Sequence, residues 1–210
     1  MVKLLVAYDN TDPELGFYFS SCYQDICDHA LLCGDFQISE LNSLHNATHL
    51  QSAIGDFQAM PFLFVAYTHG REDAIVLAEN EIVHLQNAYF FGESFVYTCA
   101  CRVGKELADS LLSHNCRAFI GFSNDSWLLQ ADDYVATFRL CENYGIKIFM
   151  EGGKTIEESF QSMVKMYTAK FDELVEINAF AASTLLDNQY ALVIKTHGNG
   201  HLTLADFISA

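Results

Sequence analysis

The chain has 210 residues, 51% of them hydrophobic, and carries a formal net charge of −16. This length predicts a single domain spanning residues 1–210, because hydrophobic cores split only beyond roughly 250 residues. The acidic excess repels phosphate backbones and anionic lipid headgroups, so nucleic acids and membrane surfaces are excluded as expected partners. No apolar run approaches the roughly 18 residues of a membrane span, and the N-terminus lacks signal-peptide features. The expected location is therefore the cytoplasm.

In chain order, the hydrophobic pattern predicts strands and helices that alternate along most of the chain. The predicted strands are residues 3–9, 36–41, 62–67, 94–101, 117–122 and 191–195, with a hairpin over residues 73–85. The predicted helices are residues 13–33, 44–57, 103–115 and 132–144, and a long helix from the capping box of Thr155 and Glu158 to about Leu186. The strands are apolar throughout, which predicts an α/β fold: a three-layer sandwich with a mostly parallel central sheet.

Seven cysteines are scattered through apolar segments. An odd count is unlike the disulfide framework of a small secreted protein, so we expect reduced and mostly buried thiols. Cys99 and Cys101 have no second Cys/His pair near them in the sequence, and we therefore predict no metal site.

Two apolar runs end in Thr-His-Gly, which places His69 and His197 directly after predicted strands. Cys99 and Cys101 end another strand. In parallel sheets, functional sites form at the carboxyl ends of strands, where a histidine can act as the base for a thiol that is distant in sequence. Gly70 lacks a Cβ, so its N–H is a candidate oxyanion donor, with the Cys101 N–H as the second donor.

The segment from "FVAYTHG" to "RAFIGF" resembles the core of a CHAT domain, a branch of the caspase-like cysteine peptidases that includes caspases, gingipains and separase. The resemblance covers residues 61 to about 122 and depends on the order of the His-Gly strand, the hairpin and the cysteine strand. The other positions that match the family pattern are Ala100, Cys101, Gly104, Leu107, Ala108, Leu111, Leu112, Ala118, Ile120 and Gly121. Arg102 and Val103 depart from the residues expected after the cysteine.

This resemblance implies a caspase-like fold and a cysteine endopeptidase with His69 as base and Cys101 as nucleophile. It implies a protein or peptide substrate, no cofactor, and a role as a regulated protease of a bacterial defence or cell-death system, triggered by a separate sensor or regulatory protein. It favours Cys101 over Cys99, which becomes a small core residue beneath the site. His197 follows both cysteines and is interpreted as a turn residue.

The substrate pocket is predicted from the loops after the first strand and after the strand that follows the cysteine helix. Asp9, Asp125 and Trp127 lie there, and carboxylates in the pocket would favour a substrate with arginine or lysine before the scissile bond. Two alternatives stay open: the aspartates cap turns, or Arg71 and Arg102 receive an acidic side chain. For the function, the alternatives are a catalytically silent caspase-like interaction module and a Cys-x-Cys redox protein.

Overall fold

The computed structural model describes residues 1–129 and 132–208, and for Asp132 and Asp133 it describes the backbone alone. The strands are β1 (Val2–Tyr8), β2 (Phe36–Leu41), β3 (Phe62–Tyr67), β4 (His69–Gly70), β5 (Ala74–Leu77), β6 (Asn80–His84), β7 (Ser94–Thr98), β8 (Ala118–Phe122) and β9 (Leu192–Lys195). The α-helices are α1 (Gly16–Cys33), α2 (Ala47–Gly55), α3 (Glu106–Ser113), α4 (Asp132–Met150), α5 (Ile156–Leu174) and α6 (Ala179–Ala191). None of the helices in these ranges is long and apolar enough to cross a membrane.

Six strands form the central sheet in the order β2-β1-β3-β7-β8-β9. The first five strands in that order pair in parallel, whereas β9 runs antiparallel to β8. The predicted α/β class with a mostly parallel sheet is therefore confirmed. The short strands β4, β5 and β6 form a separate antiparallel sheet.

Helices cover both faces of the central sheet, as expected for a three-layer sandwich. Successive side chains of a strand point to opposite faces, and in β3 the residues Leu63, Val65 and Tyr67 pack in one core cluster with α1, α4, α5 and α6. Phe64 and Ala66 pack in the other cluster with α2, α3 and the β5–β6 hairpin. This two-sided burial explains why β3 is apolar at every position.

The long helix predicted from Thr155 to about Leu186 is wrong, because the chain forms α5 and α6 with a break at residues 175–178. Asn178 begins the second helix, and its side chain accepts hydrogen bonds from the Phe180 and Ala181 N–H groups. An asparagine at this position satisfies donors that the start of any helix leaves free. The capping box of Thr155 and Glu158 does open α5 as predicted.

A buried hydrogen-bond network joins α1, β3 and α4 below the sheet edge that carries the candidate site. Asn143 is fully buried, accepts a hydrogen bond from the Tyr67 hydroxyl (2.7 Å), and donates to the Cys22 carbonyl (3.2 Å) and to Asp25 Oδ2 (2.7 Å). Asp25 also pairs with Lys147 at 2.6 Å. The network fixes how both helices pack against the sheet.

We expect Asn143→Ala to lower the free energy of unfolding by about 3 kcal/mol, because it leaves the buried Tyr67 hydroxyl without its partner. Urea denaturation followed by circular dichroism measures this change. Gln51→Ala, at an exposed position of α2, is the control and should change stability by less than about 0.5 kcal/mol. Equal stabilities for the two variants would contradict the role assigned to the network.

Candidate functional site

The candidate site lies where the carboxyl ends of four neighbouring parallel strands meet. Asp12 follows β1, His69 follows β3, Cys101 follows β7 and Ser126 follows β8, and these strands are adjacent in the order β1-β3-β7-β8. Loops that leave one edge of a parallel sheet from adjacent strands lie side by side. The two residues predicted as the catalytic pair, His69 and Cys101, are brought to the same cavity by this arrangement.

His69 is held by a carboxylate that the sequence analysis did not identify as part of the site. Its Nε2 lies 2.8 Å from Asp12 Oδ2, and its ring stands edge-on to Phe19 with the ring centroids 5.6 Å apart. A carboxylate can only accept a hydrogen bond, so the proton of the imidazole lies on Nε2. In the neutral ring, Nδ1 then carries the lone pair that can accept a proton.

Local backbone geometry explains the position of Asp12. Its Oδ1 accepts hydrogen bonds from the N–H groups of Glu14 (2.9 Å) and Leu15 (2.5 Å), in the turn that precedes α1. Partial burial acts to raise the pKa of this carboxyl, but the hydrogen bonds from Leu15, His69 and Glu14 outweigh it and lower the pKa. Asp12 therefore presents a charged oxygen to His69.

Cys101 lies on the turn after β7 and is partly exposed. The Ser126 N–H donates to its sulfur at 3.3 Å, and the thiol contacts the Ser126 carbonyl at 3.7 Å and the Ser126 hydroxyl at 3.5 Å. No hydrogen bond joins Cys101 to His69. The main chain and the hydroxyl of Ser126 therefore hold the sulfur against the loop that follows β8.

The main chain next to Ser126 is anchored at Trp127 by a buried side chain of α6. The fully buried Asn188 accepts a hydrogen bond from the Trp127 N–H and donates one to the Trp127 carbonyl, both at 2.8 Å. These two bonds hold the main chain beside Cys101. The Trp127 side chain is 61% exposed and is left free of them.

His69, Cys101, Ser126, Cys99 and Glu142 line one small cavity of about 50 Å³. Cys99 is 7% exposed, and burial together with the charge of Glu142 raises the pKa of its thiol well above the usual value. A thiol that resists ionisation is a poor nucleophile. Its placement matches the prediction that Cys99 is a small core residue beneath the site.

The two residues with the predicted oxyanion donors, Gly70 and Cys101, are in close contact. A Cβ on Gly70 would come within 2.5 Å of the Cys101 carbonyl oxygen, so only glycine fits between β4 and the cysteine turn. The backbone N–H of each of Arg71 and Ala74 donates a hydrogen bond to the carbonyl of the other. The next pair, Gly70 and Ile75, is then a non-hydrogen-bonded pair, and the Gly70 N–H points away from β5. The Cys101 N–H also makes no hydrogen bond within the described residues, so neither predicted donor has an acceptor there.

Asp9 lies away from the cavity shared by His69 and Cys101, and it is 2% exposed. Its Oδ1 accepts hydrogen bonds from the Thr11 N–H and hydroxyl, the Asp12 N–H and the Ser43 hydroxyl, and its Oδ2 accepts from the Ala78 N–H. Five donors leave this carboxylate little capacity for a substrate. The alternative that Asp9 caps a turn describes this geometry.

The other predicted pocket residues are divided between the surface and the cavity. Asp125 forms an ion pair with Arg102 at 2.6 Å, outside the cavity lining, and Arg71 pairs with Glu81. Trp127 does line the cavity. Neither arginine nor Asp125 is left without a partner of opposite charge, so these side chains offer a substrate less than the sequence analysis expected.

His197 lies in a turn after β9, as predicted, with a left-handed φ of +43°. Because β9 is antiparallel to β8, its carboxyl end lies at the opposite edge of the sheet from the other strand ends. The two Thr-His-Gly segments therefore end at opposite sides of the molecule, and only His69 reaches the cysteine turn.

Glu142 of α4 is the functional candidate that sequence reasoning missed most completely. It is 4% exposed, and the Tyr18 hydroxyl donates to its Oε2 at 2.6 Å. Burial raises the pKa of the carboxyl from its usual 4.5 to about 7, against the lowering effect of hydrogen bonds from Tyr18 and Cys99. Nothing in the sequence marks this residue, since a glutamate in a helix is ordinarily exposed.

Glu142→Gln should make the protein more stable at pH 8 and leave its stability nearly unchanged at pH 4. The folded state binds the Glu142 proton more tightly than the unfolded state, so stability falls as pH rises from about 4.5 through about 7. At roughly 1.4 kcal/mol per pKa unit, the penalty removed at pH 8 reaches about 3 kcal/mol. Urea denaturation at the two pH values measures it, with the exposed Glu151→Gln as control; an equal effect at both pH values would contradict this account.

The chain matches no protein-family model and no curated protein sequence. The resemblance to CHAT domains therefore depends only on the motifs and their order.

Proposed function

We propose that this chain is a cysteine endopeptidase of the caspase-like CHAT type, with Cys101 as nucleophile and His69 as base. One observation carries the proposal: a histidine fixed by the Asp12 carboxylate and a partly exposed cysteine line the same cavity at the carboxyl edge of a parallel sheet. The proposal adds Asp12 to the pair expected from sequence, as the residue that orients His69.

The residues support an ordinary sequence of acyl-transfer steps. His69 Nδ1 takes the proton of the Cys101 thiol, and the sulfur forms a bond to the carbonyl carbon of the substrate. The carbon–nitrogen bond then breaks, and His69 returns the proton to the leaving amine. A water molecule, deprotonated by His69, hydrolyses the thioester and restores the thiol.

Asp12 and the two free N–H groups have separate tasks in these steps. Asp12 keeps the proton of the neutral ring on Nε2 and stabilises the imidazolium that forms. The N–H groups of Gly70 and Cys101 donate to the oxyanion of the tetrahedral intermediate, where one such donor contributes about 3 kcal/mol in other enzymes. No step requires a metal or cofactor.

The biological setting is proposed from the resemblance and the composition. A regulated protease of a bacterial defence or cell-death system would cleave a protein or peptide in the cytoplasm and would be triggered by a separate sensor or regulatory protein. The reduced state of seven cysteines fits a cytoplasmic setting.

The alternative is a catalytically silent caspase-like interaction module, and one observation favours it. The Cys101 thiol is hydrogen-bonded to Ser126 and not to His69. In a peptidase, this bond must break when the substrate binds. In a silent module it would persist, and Cys101 would react with alkylating agents no faster than a surface thiol.

We expect Cys101→Ala to abolish both peptide cleavage and labelling by an acyloxymethyl ketone, whereas Cys99→Ala keeps at least part of both. The reason is that Cys101 is partly exposed beside His69, while the Cys99 thiol is buried and resists ionisation. Cleavage of a fluorogenic peptide library and intact-mass analysis of the labelled protein measure the two effects. Mass analysis also detects a reversible Cys99–Cys101 disulfide, which would favour the redox alternative. Activity in Cys101→Ala would sink the assignment.

We expect His69→Ala to remove cleavage, and Asp12→Asn to lower kcat at least tenfold with little change in KM. The asparagine oxygen can still accept from Glu14 and Leu15, so this variant removes the charge beside His69 while it keeps the turn. His197→Ala, at the opposite edge of the sheet, is the matched control and should retain its activity. A loss of kcat in His197→Ala equal to that in His69→Ala, with both variants folded by circular dichroism, would rule out the proposed base.

A further inference from the structure

The cavity that contains the candidate nucleophile has a buried carboxyl in its wall. Glu142 lies on α4, is 4% exposed, and lines the same cavity as Cys101 and His69. The Tyr18 hydroxyl donates a hydrogen bond to it. A ligand that enters from the cysteine turn therefore meets a carboxylate inside an otherwise largely apolar enclosure.

Within the described residues, Glu142 forms no salt bridge. The acids that interact electrostatically with Glu142 have pKa values raised by burial: Tyr18 and Cys22 of α1, Tyr97 of β7, Cys99 after β7, Cys141 of α4 and Tyr167 of α5. His69 lines the same cavity, but its ion pair is with Asp12. Arg139, one turn earlier on α4, is partly exposed. Its charge acts to lower the pKa of Cys22, but it forms no salt bridge with Glu142. The carboxyl thus has hydrogen-bond donors but no counter-charge.

A buried carboxylate without a cation is costly, because its desolvation is not repaid by an opposite charge. Glutamine or methionine would fill nearly the same volume without this cost. Strongly perturbed carboxyls inside clefts are concentrated at functional sites. The net charge of −16 acts in the same direction, since it attracts cationic ligands over a distance.

We propose that the Glu142 carboxylate receives the cationic side chain of the substrate residue that precedes the scissile bond. This inference rests on the proposed peptidase function and makes Glu142, in place of Asp9 or Asp125, the residue that selects lysine or arginine. A guanidinium or ammonium group would supply the absent counter-charge, and the adjacent Cys101 would then lie at the substrate carbonyl.

The cavity must widen to admit such a side chain, because about 50 Å³ holds only one or two water molecules. Its outer wall includes Trp127 and Leu128. Asn188 holds the main chain of Trp127 and not its indole, so the indole can turn outward while both hydrogen bonds remain. Widening by this route leaves the cysteine turn in place.

The test is the protection of Cys101 against iodoacetamide by n-butylguanidine, with neutral n-butylurea as the matched probe. Mass spectrometry of the Cys101 peptide is needed, because Cys33 is also exposed. We expect n-butylguanidine to protect the wild-type protein and n-butylurea not to. Protection should require at least tenfold more n-butylguanidine in Glu142→Gln, and the control Glu151→Gln should behave as the wild type.

Two further readouts separate recognition from a merely structural role. Protection should be stronger at pH 8 than at pH 6 in the wild type, because the cation binds the ionised carboxyl, and it should lose this dependence in Glu142→Gln. Glu142→Gln should lose n-butylguanidine binding while its thermal stability at pH 8 rises. A merely structural role of Glu142 predicts instead that binding and thermal stability both fall.

Several results would overturn the proposal. They are equal protection of the wild type and Glu142→Gln, no protection of the wild type, or a loss confined to Asp125→Asn. The assay needs a reactive thiol and not peptide hydrolysis, so its readout does not depend on cleavage. If the protein cleaves after neutral residues and n-butylguanidine does not protect Cys101, the peptidase function stands and the role of Glu142 is wrong. If n-butylguanidine protects Cys101 but no peptide is cleaved, cation binding by Glu142 stands and the peptidase function is wrong.

Discussion

Parallel pairing of β1, β3, β7 and β8 is the constraint on which the candidate site depends. Adjacent strands lie about 4.8 Å apart, so loops that leave the same edge bring their side chains into contact range although the residues are far apart in the chain. Asp12, His69, Cys101 and Ser126 come from four such loops. A reversal of any one of these strands would carry its residue to the other side of the molecule, as the antiparallel β9 does for His197.

Close backbone contact then fixes the cysteine turn within this edge. Gly70 presses against the Cys101 carbonyl, and a Cβ on Gly104 would lie 2.5 Å from a Val193 methyl group and 2.9 Å from the Phe122 carbonyl oxygen. The Gly104 N–H bonds to that same carbonyl at 2.8 Å. The cysteine turn is thus held between β4, β8 and β9 by contacts that allow no side chain, which limits how far Cys101 can move during any reaction.

Three carboxyl groups near this edge show how the surroundings of one functional group determine its behaviour. Burial would raise the pKa of Asp9, but hydrogen bonds from Ser43, Thr11 and Ala78 outweigh it and lower the pKa. Glu142 lies deeper in the core and has fewer donors, so burial dominates and its pKa is raised. One carboxylate oxygen of Asp12 accepts hydrogen bonds from backbone N–H groups, and the other accepts one from His69. Depth of burial and the number of donors together decide whether the pKa of a carboxyl is raised or lowered.

The sequence by itself determined the sheet class, because apolar strands alternating with helices leave few other folds, and it indicated His69 and Cys101 through the motifs that end two strands. Only the tertiary structure decided the partner of His69, the opposite direction of β9, the break between α5 and α6, and the burial of Glu142. These features depend on contacts between segments distant in the chain, such as Tyr18 with Glu142 and Trp127 with Asn188, and local patterns of hydrophobicity carry no information about which distant segments will meet.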